Sequence, residues 1–418
     1  MTAIEGWVEK PLSEIADITS GQSPDSKFYT DDEVGMPFLQ GCAEFTTKYP
    51  IAKLNCLQIK KIGKAGSILF SVRAPVGNIN IADRDYIIGR GLASILATAV
   101  DPVFLEQCLA YLEPQFRAAS QGSTFEAINS KELSAWLIRL PSDPKEQTQI
   151  ATVLYTLDQA IEQTGAIIAK QQRIMVGLMQ DLLTKGIDED GIIRSEATHE
   201  FKDSPQGRIP VEWEVKNLES CVRSDSPICY GILMPGSGFD NGIPVIKVKD
   251  IFNGKICQDN ILLTDPKIDR EYKRSRLIEG DLLMTIRGTT GRIALVPKTL
   301  HAANITQDTA RIRLKPEHLN AFHYFLLQSR NIQDQVKLHT LGQAVKGINI
   351  AEVRRISLAL PEKAEQERIS IRLTHANRFL EAAMDNRLKL RLQKRGLMND
   401  LLTGKVRVND KIKQLTAN

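Results

Sequence analysis

The sequence predicts an α+β protein that is one unit written twice. It has two α/β-mixed globular domains, separated by two long antiparallel coiled-coil helices, in a pseudo-two-fold internal repeat. Three observations predict this. Gly177-Leu178-Met179-Gln180-Asp181-Leu182-Leu183-Thr184 returns, at a constant offset of 219, as Gly396-Leu397-Met398-Asn399-Asp400-Leu401-Leu402-Thr403. Other landmarks recur in the same order through both halves, as a duplicated unit requires. Each half also ends in a long proline-free stretch whose apolar residues keep heptad spacing.

Taken in order, the first half opens with Trp7-Val8-Glu9-Lys10-Pro11-Leu12, matched by Trp213-Glu214-Val215-Lys216-Asn217-Leu218. Gly35-Met36-Pro37-Phe38-Leu39 is matched by Gly242-Ile243-Pro244-Val245-Ile246. Gly66 to Arg73, with Gly77 beyond, is matched by Gly280 to Arg287, with Gly291 beyond. The β-rich runs Ile68–Val72, Ile79–Ala82, Ile87–Ile88, Ile243–Val248, Leu282–Ile286 and Ile293–Val296 lie between Gly, Pro, Asn and Asp and predict strands. Phe104–Leu112 and Ala321–Gln328 predict helices. Gly122 with Ile128-Asn129 and Gly342 with Ile348-Asn349 close the pattern, before Leu140-Pro141 and Leu360-Pro361.

The long helices follow. From Lys145 to Thr184 a three-four register holds Ile150, Leu154, Leu157, Ile161, Ile168, Met175, Leu178 and Leu182, broken by Thr164 and Gln171. From Ala364 to Thr403 it holds Ile369, Leu373, Ala376, Leu380, Ala383, Leu390, Leu397 and Leu401, broken by Arg387 and Lys394. Pro144 and Pro361 precede these stretches, and Gly186 and Gly404 follow them, as helix punctuation should. At 1.5 Å per residue each helix is roughly 60 Å long. The chain thus divides into a first domain (1–142), a first helix (143–186), a linker with the second domain (187–361), a second helix (362–404) and a tail (405–418).

Composition sets outer bounds. The chain has 418 residues, 42% hydrophobic and 25% charged, with a formal net charge of +4. That charge permits a nucleic-acid partner without demanding one, so local basic patches must supply phosphate contacts. There is no run of eighteen apolar residues and no signal-peptide pattern, and the six cysteines form no C-x-x-C pair, so reduced thiols and a cytoplasmic location are expected.

Chemistry is hard to find in this sequence. There is no P-loop and no dinucleotide fingerprint; Gly288-Thr289-Thr290-Gly291-Arg292 lacks the lysine and spacing of a phosphate cradle. The Asp/Asn-Pro-Pro-Tyr/Phe motif of amino-methyltransferases is missing. The histidines all lie beyond residue 198, and His318 and His323 have the wrong spacing for a metal pair on one helix, so structural or solvent-exposed roles are expected and no metal site. Glu214-Val215-Lys216 matches a nuclease E-x-K tripeptide, but Val8-Glu9-Lys10 in the other half does not keep it. A chain that reads or scaffolds, with chemistry on its partners, is the expectation.

Together these features resemble the specificity subunit of type I restriction–modification enzymes. The resemblance rests most on Leu140-Pro141 leading into Glu146-Gln147-Thr148-Gln149-Ile150, and on Leu360-Pro361 leading into Glu365-Gln366-Glu367-Arg368-Ile369. The early Trp, the two Leu-Met-x-Asp-Leu-Leu-Thr endings and the turn from Ser71 through Arg73 to Gly77 belong to the same pattern. It implies a non-catalytic chain with two target recognition domains reading a bipartite double-stranded DNA target, and spacer helices fixing the gap. It implies two methyltransferase subunits and restriction/translocase subunits as partners. S-adenosylmethionine, ATP and Mg would then belong to those partners, with no cofactor in this chain. A coiled-coil protein scaffold that binds no DNA, with two adaptor domains, is the alternative.

Base reading favours Arg, Lys, Gln and Asn, with Ser and Thr adaptable. The candidates in the first half are Ser20, Gln22, Gln40, Arg73, Ser123 and Thr124. In the second half they are Tyr230, Lys247, Lys249, Arg287, Thr289, Thr290, Gln343 and Lys346.

Overall fold

Each half of the chain closes on itself through a strand pair at its root. Trp7–Pro11 runs antiparallel to Leu137–Pro141, and Glu214–Asn217 to Ser357–Leu360, so the tryptophan landmark and the Leu-Pro landmark meet in both halves. The computed structural model describes residues 4–120, 127–340 and 346–408. They form two compact units, Met1–Ala166 with Met384–Asn418, and Ile167–Ala383.

In the first unit an antiparallel four-stranded sheet has the order Ala16–Ser20, Leu92–Ala97, Ile68–Ser71, Ile79–Ile81. A second sheet of five strands has the order Tyr29–Thr30, Leu54–Cys56, Met36–Leu39, Tyr86–Ile88, Ile62–Gly63, and Met36–Leu39 is parallel to Tyr86–Ile88. The second unit repeats the plan. Its four-stranded sheet is Cys229–Tyr230, Thr309–Ile312, Leu282–Thr285, Ile293–Leu295, and its second sheet is Leu262–Thr264, Ile243–Ile246, Asn304–Ile305. Ile68–Ser71 and Leu282–Thr285 are buried at every residue, which is why they read as unbroken apolar runs rather than alternating ones.

The predicted helix Phe104–Leu112 is part of a longer one, Pro102–Ser120, started by Asp101, whose carboxylate accepts from the Val103 and Phe104 amides. Phe104, Leu105, Cys108 and Phe116 lie in one core with Phe70 and Ile95. The helix predicted at Ala321–Gln328 spans Asn320–Gln328, followed by Arg330–Leu338.

The two long helices are Pro144–Leu182 and Lys363–Leu401, 39 residues each. Pro144 takes up the first helical turn, where its missing N–H costs nothing. Ile150, Leu154, Ile168, Met175, Leu182, Ile369, Leu373 and Leu401 are buried, while Leu157, Ile161, Leu178, Leu380, Leu390 and Leu397 are half-buried. Two of the polar breaks in the register are satisfied. Lys394 pairs with Asp158 at 2.6 Å, and the Thr164 hydroxyl donates to the Ala160 carbonyl.

Within each unit the helix segments run antiparallel, because the start of one lies beside the end of the other. In the first unit Glu146, 1% exposed, accepts from Arg407 Nε and Nη2, both at 2.7 Å. In the second unit Glu365, 2% exposed, accepts from Arg194 Nη1 at 2.5 Å, the Ile187 amide at 2.9 Å and Trp213 Nε1 at 3.2 Å. The neighbouring glutamines tie the helices back to the strand pairs: Gln147 Nε2 donates to the Pro141 carbonyl and Gln366 Nε2 to that of Pro361. The Leu-Pro…Glu-Gln pattern is therefore a joint between a domain root and a helix pair.

Candidate nucleic-acid interface

The arginine turns are built the same way in both halves. Strand Ile68–Ser71 leads into a turn in which Gly77 N donates to the Ser71 carbonyl; after Leu282–Thr285, Gly291 N donates to the Thr285 carbonyl. Ser71 Oγ donates to the Arg73 carbonyl and Thr285 Oγ1 to that of Thr289, so each turn is braced by its own strand. Gly77 and Gly291 sit at φ of +91° and +84°, against the Phe116 and Gln333 side chains, where a Cβ would be both strained and crowded. Arg73 and Arg287 stand exposed at the tips. Each tip is bridged to the segment after the long loop, Arg73 to Ala127 and Arg287 to Gly347.

Ser20 and Tyr230 come to the same hollows. Ser20, Arg73, Arg90 and Ser130 line one, and the Ser20 and Ser130 hydroxyls are hydrogen-bonded to each other. Tyr230, Arg287, Gln307 and Asn349 line the other. Glycines hold these walls together: a Cβ on Gly21 would overlap the Gly89 carbonyl oxygen, and one on Gly231 that of Ile305. Gln22 donates its backbone N–H to Ile88 O, and its side chain is exposed.

Gln40 is exposed and its backbone lies against Gly89 and Gly91, on either side of Arg90. Its counterpart Lys247 is half-buried, and its backbone N–H donates to Asp250. Lys249 is exposed in a hollow with Arg287, Thr289, Arg292 and Asp308. Thr290 is half-buried and meets the Thr340 hydroxyl at 3.4 Å, so it supports the turn more than it presents a reading group. Lys346 is exposed, and its carbonyl accepts from the Gly288 amide beside Arg287. Ser123, Thr124 and Gln343 lie outside the described residues.

Sequence reasoning missed Arg90 and Gln307. Both follow the strand parallel to the Gln40 or Lys247 strand: Leu39 pairs with Ile88, and Ile246 with Ile305. The shared isoleucine, two residues ahead in each case, was the available signal. In the first half Arg73 and Arg90 share the hollow, and neither has an ion pair among the described residues. In the second half the matched pair is Arg287 and Gln307, with Nη1 3.3 Å from Oε1. The same scaffold thus offers two guanidinium groups in one domain and a guanidinium with an amide in the other. Arg292 adds positive charge beside Lys249, but its Nη1 donates to the Ile251 carbonyl at 2.8 Å.

Glu214 and Lys216 pair with each other at 2.5 Å on an exposed strand at the domain root, and neither lines the hollows of the second domain.

The family model described as "Type I restriction modification DNA specificity domain" matches residues 4–170 and 237–390. The EcoBI specificity subunit of Escherichia coli, a type I restriction enzyme component, is 24% identical over 396 residues, covering 87% of this chain and 78% of its own. The MjaVIII specificity subunit of Methanocaldococcus jannaschii is 26% identical over 318 residues, covering 74% of this chain and 72% of its own. Among solved structures, a type I restriction–modification S subunit from M. genitalium superposes with a TM-score of 0.60 at 14% identity, over 94% of this chain and 96% of that one. The two matched stretches cover most of the chain, one in each half, and the chain belongs to the type I restriction–modification DNA specificity family.

Proposed function

We propose that this chain is the sequence-specific DNA-recognition subunit of a type I restriction–modification complex. It reads a bipartite, asymmetric target, one half per recognition domain, and docks methyltransferase and endonuclease subunits. The observation that carries this reading is the pair of matched hollows with unmatched linings. Arg73 with Arg90 suits the acceptor edges of guanines in the major groove, while Arg287 with Gln307 suits a guanine beside an adenine. Exposed Lys249 and Lys346 suit phosphates, which position the domain without reading sequence.

In this reading the chain is non-catalytic and takes no cofactor of its own. S-adenosylmethionine, ATP and Mg act on the partner chains, two methyltransferase subunits and restriction/translocase subunits. A cytoplasmic location goes with it; no helix among the described residues is long and apolar enough to cross a membrane.

The test is the methylome of cells with and without this chain. The expected result is loss of one bipartite, asymmetric methylated motif. An unchanged methylome, or robust turnover of S-adenosylmethionine by the purified chain alone, would sink the reading.

A further inference from the structure

The second domain carries a polar trio in a core layer where the first domain is apolar. Cys221 closes the short helix Leu218–Cys221, and His318 and His323 flank the start of helix Asn320–Gln328. The Cys221 Sγ and one ring nitrogen of each histidine all lie within 4.8 Å of one another. Cys221 and His323 are fully buried and His318 is half-buried.

The two halves can be matched position by position here. Leu12 N donates to the Trp136 carbonyl and Leu218 N to that of Ile356, which equates Ile15 with Cys221. Leu105 N donates to the Asp101 carbonyl and His323 N to that of Leu319, which equates Leu105 with His323 and Val100 with His318. Ile15 and Leu105 are fully buried, and Val100 packs against their core. Apolar side chains fill this layer in one domain, so packing alone does not call for a thiol and two imidazoles in the other.

The hydrogen bonding of His323 sets its tautomer. Its Nδ1 lies 3.0 Å from the Leu319 carbonyl oxygen, which can only accept, so Nδ1 carries the proton. That leaves the Nε2 lone pair free, and Nε2 is buried with no hydrogen-bond partner among the described residues. His318 Nδ1 is likewise buried and unpartnered. A metal-binding histidine has the same arrangement, with one ring nitrogen held by a carbonyl and the other turned to the ion.

We propose that Cys221, His318 and His323 form a binding site for one zinc-like divalent cation. A thiolate with two imidazoles is a donor set for a borderline-soft ion, and hard oxygen-seeking ions are disfavoured. Zinc bonds of about 2.0–2.3 Å put tetrahedral donors roughly 3.3–3.8 Å apart, so donors that lie within 4.8 Å of one another draw closer when the ion binds. Water takes the fourth position. Binding releases the thiol proton to solvent. The ion joins the root of the second domain to the helix that covers its sheet.

The experiment uses the full chain titrated with Co2+, a spectroscopic stand-in for zinc, with thermal melting in parallel. The expected result is one equivalent bound, with a thiolate charge-transfer band in the near ultraviolet, tetrahedral d–d bands in the visible and a raised melting temperature. Cys221→Ala and His323→Leu should each abolish the bands and the rise in melting temperature. Cys257→Ser, which alters an exposed thiol, should keep both. His323→Leu copies the first domain's own residue, so it should fold. Absence of bands from folded parent chain at excess Co2+, or their survival in Cys221→Ala, overturns the site. DNA reading does not depend on this result.

Discussion

Arg73 and Arg287 occupy one place in two copies of a turn, so their effects should separate by half-site. Arg73→Ala should cost about 1–3 kcal/mol of binding to a cognate duplex and relax only the half-sequence read by the first domain. Arg287→Ala should do the same to the other half. Titration of duplexes randomised in one half at a time checks this, and equal loss of both halves would mean phosphate contact only. A second residue-scale prediction concerns Glu106. Burial first, then the nearby Asp158 carboxylate, hold its pKa above 4.5, while Lys48 and Lys394 pull the other way. A carboxyl raised on folding stabilises the protein below the ordinary glutamate range and loses that contribution as pH rises. Glu106→Gln should therefore be more stable than the parent at neutral pH, with the advantage vanishing as pH falls through about 4.5. Urea midpoints across that range decide it. The arginine tips were legible in the sequence because the turn around them is duplicated with its glycines. Arg90 and Gln307 were not, because the residues around them share little beyond one isoleucine.

At the scale of elements, the helices were legible from their heptads, but the joints at their ends were not. Arg194 and Glu365 lie 171 positions apart, and no local pattern couples them. Their geometry sets the next prediction. Glu365→Ala leaves Arg194 buried without its carboxylate and also strips acceptors from Trp213 and the Ile187 amide, so it should cost about 3–5 kcal/mol. Glu146→Ala should cost less, because Arg407 is the more exposed arginine. Chemical denaturation measures both; a Glu365→Ala loss near that of a surface pair, about 0–1 kcal/mol, would show that the joint contributes little.

At the scale of the whole molecule, the proposed role of the helices is to fix the unread gap. Four residues inserted in one helix add about 6 Å, close to two base-pair rises of roughly 3.4 Å, and a coiled coil absorbs four as a stutter. The position after Thr184, where the heptads end, looks permissive from sequence, but Gly186 is packed against Glu365 and Trp213 there and Leu183 and Ile187 are buried. Exposed Gln172 and Arg173 mark a better site. The methylated motif should keep both half-sequences and change its gap; altered half-sequences with an unaltered gap would mean that the helices do not set the spacing.

The first unit is stitched from two distant stretches, the second from one, and this gives synthesis an order. Leu401, Leu402 and Val408 lie in the same core as Ile150 and Leu154, so the first domain's joint is unfinished until they emerge from the ribosome. By then every residue from 167 to 383 has been delivered. The part of the protein begun first is therefore the part completed last. A nonsense codon near position 390 would unsettle the amino-terminal reader while leaving the later-encoded one intact.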